Sequence, residues 1–74
     1  MDYQKNMENI KNEILLFMGE KKLTIFEMAE ASGVSEETIK YILYKHPQNC
    51  KMSTLMLLSN AMNISIDELI NETK

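Results

Sequence analysis

The chain has 74 residues, of which 45% are hydrophobic and 26% charged, and these proportions are typical of a globular protein rather than a disordered one. At this length we expect a single domain over residues 1–74 and no separate catalytic domain. The formal net charge is −3 and all eight basic residues are lysines. This composition argues against a nucleic-acid partner, but the sign of the contacting face decides more than the net charge.

Membrane, redox, metal and catalytic functions have little support in the sequence. The apolar runs are too short to span a bilayer and the N-terminus lacks the order of a secretory signal, so we expect a cytoplasmic protein with no membrane partner. Cys50 is the only cysteine, which excludes an internal disulfide. His46 and Cys50 are spaced i, i+4, but two ligands do not make a zinc site. We expect no metal, cofactor or small-molecule ligand, and no enzymatic activity.

The first predicted helix runs from about residue 6 or 7 to Gly19. Gly19 is expected to end it, with a charged segment after it. Apolar residues recur at helical spacing over this stretch, namely Met7, Ile10, Ile14, Phe17 and Met18.

Two short helices are predicted next, over about residues 24–44. Thr24 and Glu27 form a capping box, in which each side chain accepts a hydrogen bond from the other residue's backbone amide, so the second helix begins at Ile25. It ends near Ser32. Ser35 then opens a third helix, whose buried side is apolar.

The connection between these two helices is typical of a helix-turn-helix. Ala29 is small enough to let the helices cross closely, and Gly33 can adopt the positive φ that ends a helix. Val34 and Ile39 are expected to point between the helices. Such a unit commonly places its second helix in the major groove of DNA.

The C-terminal part is predicted to hold helices four and five, over about residues 52–71. Pro47 prevents the third helix from continuing, so residues 45–51 are expected to form the one extended loop. Helix four spans Met52 to Met62, and Asn63 is a plausible end for it. Residues 65–68 form a second capping box that opens helix five. The sequence has no strand signal and predicts an all-α fold of five helices.

Three segments in this order resemble the Cro/C1-type helix-turn-helix family, the XRE-like or lambda-repressor-like DNA-binding domains. They are Leu23-Thr24, the pattern Ala29, Gly33, Val34-Ser35 and Ile39, and the tail 58–70, LSNAMNISIDELI. The resemblance covers about residues 10–70 and implies a five-helix lambda-repressor-like domain. It also implies a sequence-specific DNA-binding transcriptional regulator, a repressor of bacterial, phage or mobile-element origin, that binds double-stranded DNA as a homodimer.

The resemblance further implies which residues meet DNA. Base edges would be read by the start and outer face of the third helix, at Ser35, Glu36, Glu37, Thr38, Lys40, Tyr41 and Tyr44. Phosphates would be contacted from the loop that follows, at Lys45, His46, Gln48, Asn49 and Lys51. Ser35 and Thr38 equally suit helix capping. The two glutamates can stabilise the helix start, accept from a cytosine amino group, or bind a basic protein.

Two departures from the family pattern keep a second hypothesis open. Ile25 stands where the family usually has a glutamine that bonds a phosphate. Apolar residues occupy four positions that are frequently polar in the family, namely Leu15, Leu16, Met18 and Leu57. They either pack against the N-terminal segment, where Tyr3 and Met7 are available, or form a dimer or partner interface. The alternative function is a protein-interaction module on this scaffold that has lost DNA binding.

Overall fold

The computed structural model describes residues 3–45 and 50–70, and side chains within them from Met7 onward. These residues form five α-helices and no strand, which confirms the predicted all-α fold class. The helices are α1 (Tyr3–Lys21), α2 (Ile25–Ser32), α3 (Glu36–Tyr44), α4 (Met52–Met62) and α5 (Ile66–Ile70). The predicted bounds of α2, α3 and α4 agree with the structure. The predicted last residue of α5, Asn71, lies outside the described residues.

The predicted bounds of α1 are wrong at both ends. The helix begins at Tyr3, and it passes through Gly19 to end at Lys21. The residue that leaves the helix is Lys22, which has a φ of 57°. Its turn is closed by the Leu23 N–H, which donates to the Met18 carbonyl oxygen at 2.9 Å. Gly19 is therefore an ordinary helical residue, and the chain leaves the helix three residues later at a lysine in the left-handed conformation.

The predicted capping box of α2 is confirmed. The Glu27 N–H donates to Thr24 Oγ1 at 3.1 Å, and the Thr24 N–H donates to Glu27 Oε1 at 2.9 Å. At the other end Gly33 has a φ of 81°, and its N–H donates to the Ala29 carbonyl oxygen at 2.8 Å. The helix is thus held to eight residues by side-chain chemistry at one end and backbone geometry at the other.

The predicted last turn of α4 and the predicted start of α5 are also confirmed. Asn63 ends α4 in the left-handed region, with a φ of 60°. The Glu68 N–H donates to Ser65 Oγ at 3.0 Å and the Ser65 N–H donates to Glu68 Oε1 at 3.1 Å, which is the second capping box.

All five helices contribute buried residues to the core. α1 packs against α3 and α5, α2 against α3 and α4, and α4 against α5. Asn9 adds a polar tie, because its Nδ2 donates to the Leu69 carbonyl oxygen at 3.0 Å. The buried apolar residues are Met7, Ile10, Ile14, Met28, Val34, Ile39, Ile42, Leu43, Leu55, Leu58, Met62, Leu69 and Ile70.

Three of the four unusual apolar residues stay on the surface. Leu15 is 46% exposed, Leu16 62% and Leu57 43%. Met18 differs from them, because it is half-buried and packs against the core. Met7, which the first alternative would place against them, is itself buried in that core. The side chain of Tyr3 lies outside the described ones.

Candidate nucleic-acid interface

The helix-turn-helix consists of α2, a turn at residues 33–35 and α3. Val34 and Ile39 are buried in the core, and Ala29 is half-buried and packs against it. Ser32 was not singled out from the sequence. Its buried hydroxyl donates to the Met28 carbonyl oxygen at 2.8 Å and accepts from the Val34 N–H at 3.1 Å. The turn amide thereby keeps a partner inside the protein, which fixes the direction in which α3 leaves the turn.

The outward side of α3 is a continuous stripe with spacing i, i+3, i+4, i+7. It consists of Glu37, Lys40, Tyr41 and Tyr44, and all four are exposed. Both tyrosines expose a large part of their surface to solvent, 54% for Tyr41 and 63% for Tyr44. Glu36 and Thr38 lie at the edge of the stripe and are half-buried. We call the four exposed residues the α3 stripe.

Ser35 and Thr38 take part in capping α3. The Thr38 N–H donates to Ser35 Oγ at 3.1 Å, and the Ser35 hydroxyl donates to Thr38 Oγ1 at 2.9 Å. The Ser35 hydroxyl thus uses its proton and one lone pair in hydrogen bonds with the first turn of α3. Both side chains keep acceptor capacity toward solvent, while their main structural role is to begin the helix.

The charges on this face are not neutralised within the described part of the chain. Its single ion pair joins Lys11 Nζ to Glu8 Oε2 at 3.8 Å, on α1. Glu36, Glu37 and Lys40 make no such contact there, so two carboxylates and an ammonium group are presented to solvent side by side. A partner that binds here must satisfy both signs of charge.

The candidate phosphate contacts are only partly described. Lys45 is exposed at the C-terminal end of α3, and Lys51 is exposed at the N-terminal end of α4, where its side chain makes no capping hydrogen bond. His46, Gln48 and Asn49 lie outside the described residues. Ile25 is half-buried and packs against the core, so the first residue of α2 stabilises the fold and offers no polar group to a phosphate.

One exposed aromatic residue of α2 escaped the sequence analysis. Phe26 is 56% exposed and lines an open groove with Glu30, Gly33, Val34 and Glu36. A helical projection of α2 contains the signal, because Phe26 lies on the same side as Glu30 and opposite the buried Met28.

A second groove lies between α4 and α5, with a volume of about 810 Å³. Its apolar walls come from Met56, Leu57, Ile64 and Ile66. Ile64 also lines a smaller depression that contains Leu16 of α1. Leu16 and Leu57 therefore border the same residue from two sides, and we call Leu16, Met56, Leu57, Ile64 and Ile66 the α4–α5 patch.

In residues 3–45 and 50–70 no three His, Cys, Asp or Glu side chains are grouped to hold a metal ion. No helix in this part of the chain is long and apolar enough to cross a membrane. Cys50 is half-buried, and this burial raises the pKa of its thiol.

The bent helix pair and the free face of its second helix define a helix-turn-helix protein. Residues 13–73 match the family model described as the Cro/C1-type HTH DNA-binding domain. This match extends over most of the chain, which therefore belongs to that family and confirms the resemblance seen in the sequence. Searches of curated proteins and of solved structures give no significant match. Membership supports a DNA-binding regulator in general terms.

Proposed function

We propose that the protein is a sequence-specific transcriptional regulator that places α3 in the major groove of double-stranded DNA and represses by occluding a promoter. In this proposal residues 1–74 form one helix-turn-helix domain, of bacterial, phage or mobile-element origin, that acts in the cytoplasm without a cofactor or catalytic step. The observation that carries it is the α3 stripe, a row of polar and aromatic side chains with no partner among the described residues. A recognition helix needs such a free face.

Each part of the interface has a separate role in this proposal. The α3 stripe contacts base edges, while Ser35, Glu36 and Thr38 lie where the helix enters the groove. Lys45 and Lys51 bond phosphates on either side of the loop that follows α3, with His46, Gln48 and Asn49 as polar helpers. Phosphate contacts set the position of the protein and base contacts set its sequence preference.

The proposed regulator is a homodimer on a two-fold site, and the α4–α5 patch is its proposed interface. Grooves on small proteins that expose several large apolar groups usually mark association. Glu68 is the one charged residue lining the larger groove, and its carboxylate already accepts from the Ser65 N–H. The smaller depression beside it is lined by Glu13 and Glu20, so the proposed interface carries carboxylates and the dimer should be favoured by salt that screens them. Leu15, also exposed, extends the apolar surface on α1. Met18 contributes only its half-exposed side.

The DNA-binding part is tested by a fluorescence anisotropy titration. The full chain is titrated into labelled duplex from the region upstream of its own gene, and into a random duplex of equal length and composition, over a series of salt concentrations. We expect tighter binding to the upstream duplex at moderate salt. Equal affinity for the two duplexes at every salt concentration would contradict the proposal that the protein binds DNA sequence-specifically.

A second candidate function is a protein-interaction module on this scaffold. It is favoured by the carboxylates of Glu36 and Glu37, which no lysine neutralises within the described residues, and by the apolar Ile25 at the start of α2. A basic segment of another protein would suit this face. Double replacement of Glu36 and Glu37 by Gln separates the functions, because it should strengthen non-specific DNA binding and weaken binding to a basic protein.

A further inference from the structure

The chemistry of the α3 stripe restricts the DNA sequence that it can read. Glu37, Lys40, Tyr41 and Tyr44 lie on one side of a helix, as residues three and four apart do. Along the helix they present, in this order, a hydrogen-bond acceptor, a hydrogen-bond donor and two aromatic rings. Ser35 and Thr38 use part of their hydrogen-bonding capacity in the cap, whereas the side chains of the stripe make no hydrogen bond within the described residues.

The carboxylate of Glu37 distinguishes between the four bases because it can only accept hydrogen bonds when ionised. Guanine and thymine present acceptors in the major groove, and these repel a carboxylate. Adenine presents an amino donor beside the N7 acceptor, while cytosine presents an amino donor alone. Cytosine is therefore the base that offers Glu37 a donor with no acceptor on the same base, and the acceptors of its guanine partner require a separate donor.

Lys40 and Tyr41 extend this match along the groove. Lys40 lies next to Glu37 on the stripe and is a donor, so it suits the O6 and N7 acceptors of a guanine, such as the partner of that cytosine. Tyr41 follows Glu37 by about 6 Å along the helix axis. This is close to two base steps of about 3.4 Å each. Its exposed ring offers the apolar contact that a thymine methyl group makes in the major groove.

Resting on the proposed DNA-binding function, we infer that the α3 stripe selects a half-site in which a C·G pair lies about two base steps from a thymine. Glu37 accepts a hydrogen bond from the cytosine amino group, and the ring of Tyr41 contacts the thymine methyl. The chain has no arginine to read guanine with two hydrogen bonds, so the acidic residue becomes the main reader of the C·G pair.

The test begins with selection of duplexes from a random library by the full chain at one fixed salt concentration. We expect an enriched motif that contains a cytosine with a thymine about two positions away. The selection is repeated with Glu37→Gln. A glutamine offers a donor and an acceptor that match adenine, so the preferred base at that position should change from cytosine to adenine, by about fivefold or more in relative affinity.

The matched control is Glu20→Gln, which removes the same charge from an exposed position in the last turn of α1. It should raise the affinity for all duplexes alike and leave the motif unchanged. Helical circular dichroism is recorded for both variants, and both should retain it because each replaced side chain is free of hydrogen bonds in the described structure.

The thymine contact is tested by replacing that thymine with deoxyuridine, which lacks the methyl group. The wild-type chain should bind the altered duplex about fourfold more weakly, the effect expected for one buried methyl group. A Tyr41→Ala variant should bind the two duplexes equally. A wild-type chain that does not distinguish thymine from deoxyuridine would contradict the Tyr41 contact.

The possible failures are distinguishable. If no duplex is enriched, both the proposed function and this inference are wrong. If a motif is enriched and Glu37→Gln leaves every position of it unchanged, the protein is a sequence-specific DNA-binding protein and the assignment of Glu37 is wrong. The inference is supported if the preferred base changes from cytosine to adenine in Glu37→Gln and does not change in Glu20→Gln.

Discussion

At the scale of single residues, the two glycines of the chain have opposite roles. Gly19 lies inside α1 with open space where a Cβ would be, whereas Gly33 has a φ of 81° at the end of α2. An alanine in a helix is more favourable than a glycine by about 1 kcal/mol. An alanine forced into the left-handed region costs about 1–2 kcal/mol.

We therefore expect Gly19→Ala to stabilise the protein and Gly33→Ala to destabilise it. Leu57 Cδ2 is 4.0 Å from the position of a Cβ on Gly33, which is an ordinary contact, so the expected cost is conformational rather than steric. For a protein of this length, each kcal/mol should move the melting temperature by about 4–8 °C. Thermal denaturation of the two variants measures both effects. A stabilised Gly33→Ala variant would contradict the assigned role of the turn.

Cys50 gives a prediction about pH. Burial raises the pKa of its thiol above the ordinary value of 9.0. The folded protein therefore holds this proton more tightly than the unfolded chain, and stability should fall as the pH rises from about 9.0 through the folded pKa. At pH 8 the folded thiol should react with a disulfide reagent more slowly than the unfolded thiol in urea. Equal rates in the two states would contradict this account.

At the scale of elements, the capping role of Ser35 at the start of α3 can be tested separately from its proposed contact with DNA. The Ser35 hydroxyl is bonded to the Thr38 amide and hydroxyl, so Ser35→Ala should lower the free energy of unfolding by about 1 kcal/mol. Ser53→Ala, on an exposed part of α4 where the hydroxyl makes no hydrogen bond within the described residues, should change it little. Urea denaturation measures both. An unchanged Ser35→Ala variant would show that the cap adds nothing.

The loop between α3 and α4 gives a prediction about salt. Lys45 is exposed at the C-terminal end of α3 and is proposed to contact a phosphate. Replacing it with alanine should weaken binding to specific and random duplexes by similar factors and reduce the slope of log affinity against log salt by about 1. Lys11→Ala on α1 is the control, and it should leave the slope unchanged. A sequence-dependent loss in Lys45→Ala would place that side chain at a base.

The helix ends could be predicted from the sequence only where they depend on residues that are close together in the chain. The caps at Thr24 and Ser65 and the turn at Gly33 were predictable, because each depends on residues within a few positions of one another. The end of α1 was not predictable, because it depends on the positive φ of Lys22, and a lysine side chain does not indicate this conformation. The tie from Asn9 to the end of α5 joins residues far apart in the chain, and no local pattern reveals such a contact.

The candidate site was predictable to a similar extent. The periodicity of α3 placed Lys40, Tyr41 and Tyr44 on its outer side, because the buried positions of a short helix leave one face free. The groove between α4 and α5 was not predictable, since it depends on how two helices and the Ile64 connection meet in space. Leu57 was singled out for its apolarity, whereas its neighbours Met56 and Ile66 were not.

At the scale of the whole molecule, association and DNA binding are proposed on different faces. Leu57→Ser, in the α4–α5 patch, should weaken a dimer seen by sedimentation velocity at increasing concentration. Phe26→Ser removes a similarly exposed apolar side chain from the groove beside α3 and should leave the dimer intact. A dimer weakened by Phe26→Ser and insensitive to Leu57→Ser would move the interface to the helix-turn-helix.

Every proposed DNA contact depends on the outer face of α3 being the surface that meets the duplex. The most direct test is a nuclear magnetic resonance titration of the isotope-labelled full chain with a duplex from the region upstream of its gene. We expect the largest changes in amide shifts on residues 33–45, with smaller ones near Lys51. Changes concentrated on α4 and α5 at a saturating duplex concentration, or no changes at all, would contradict it.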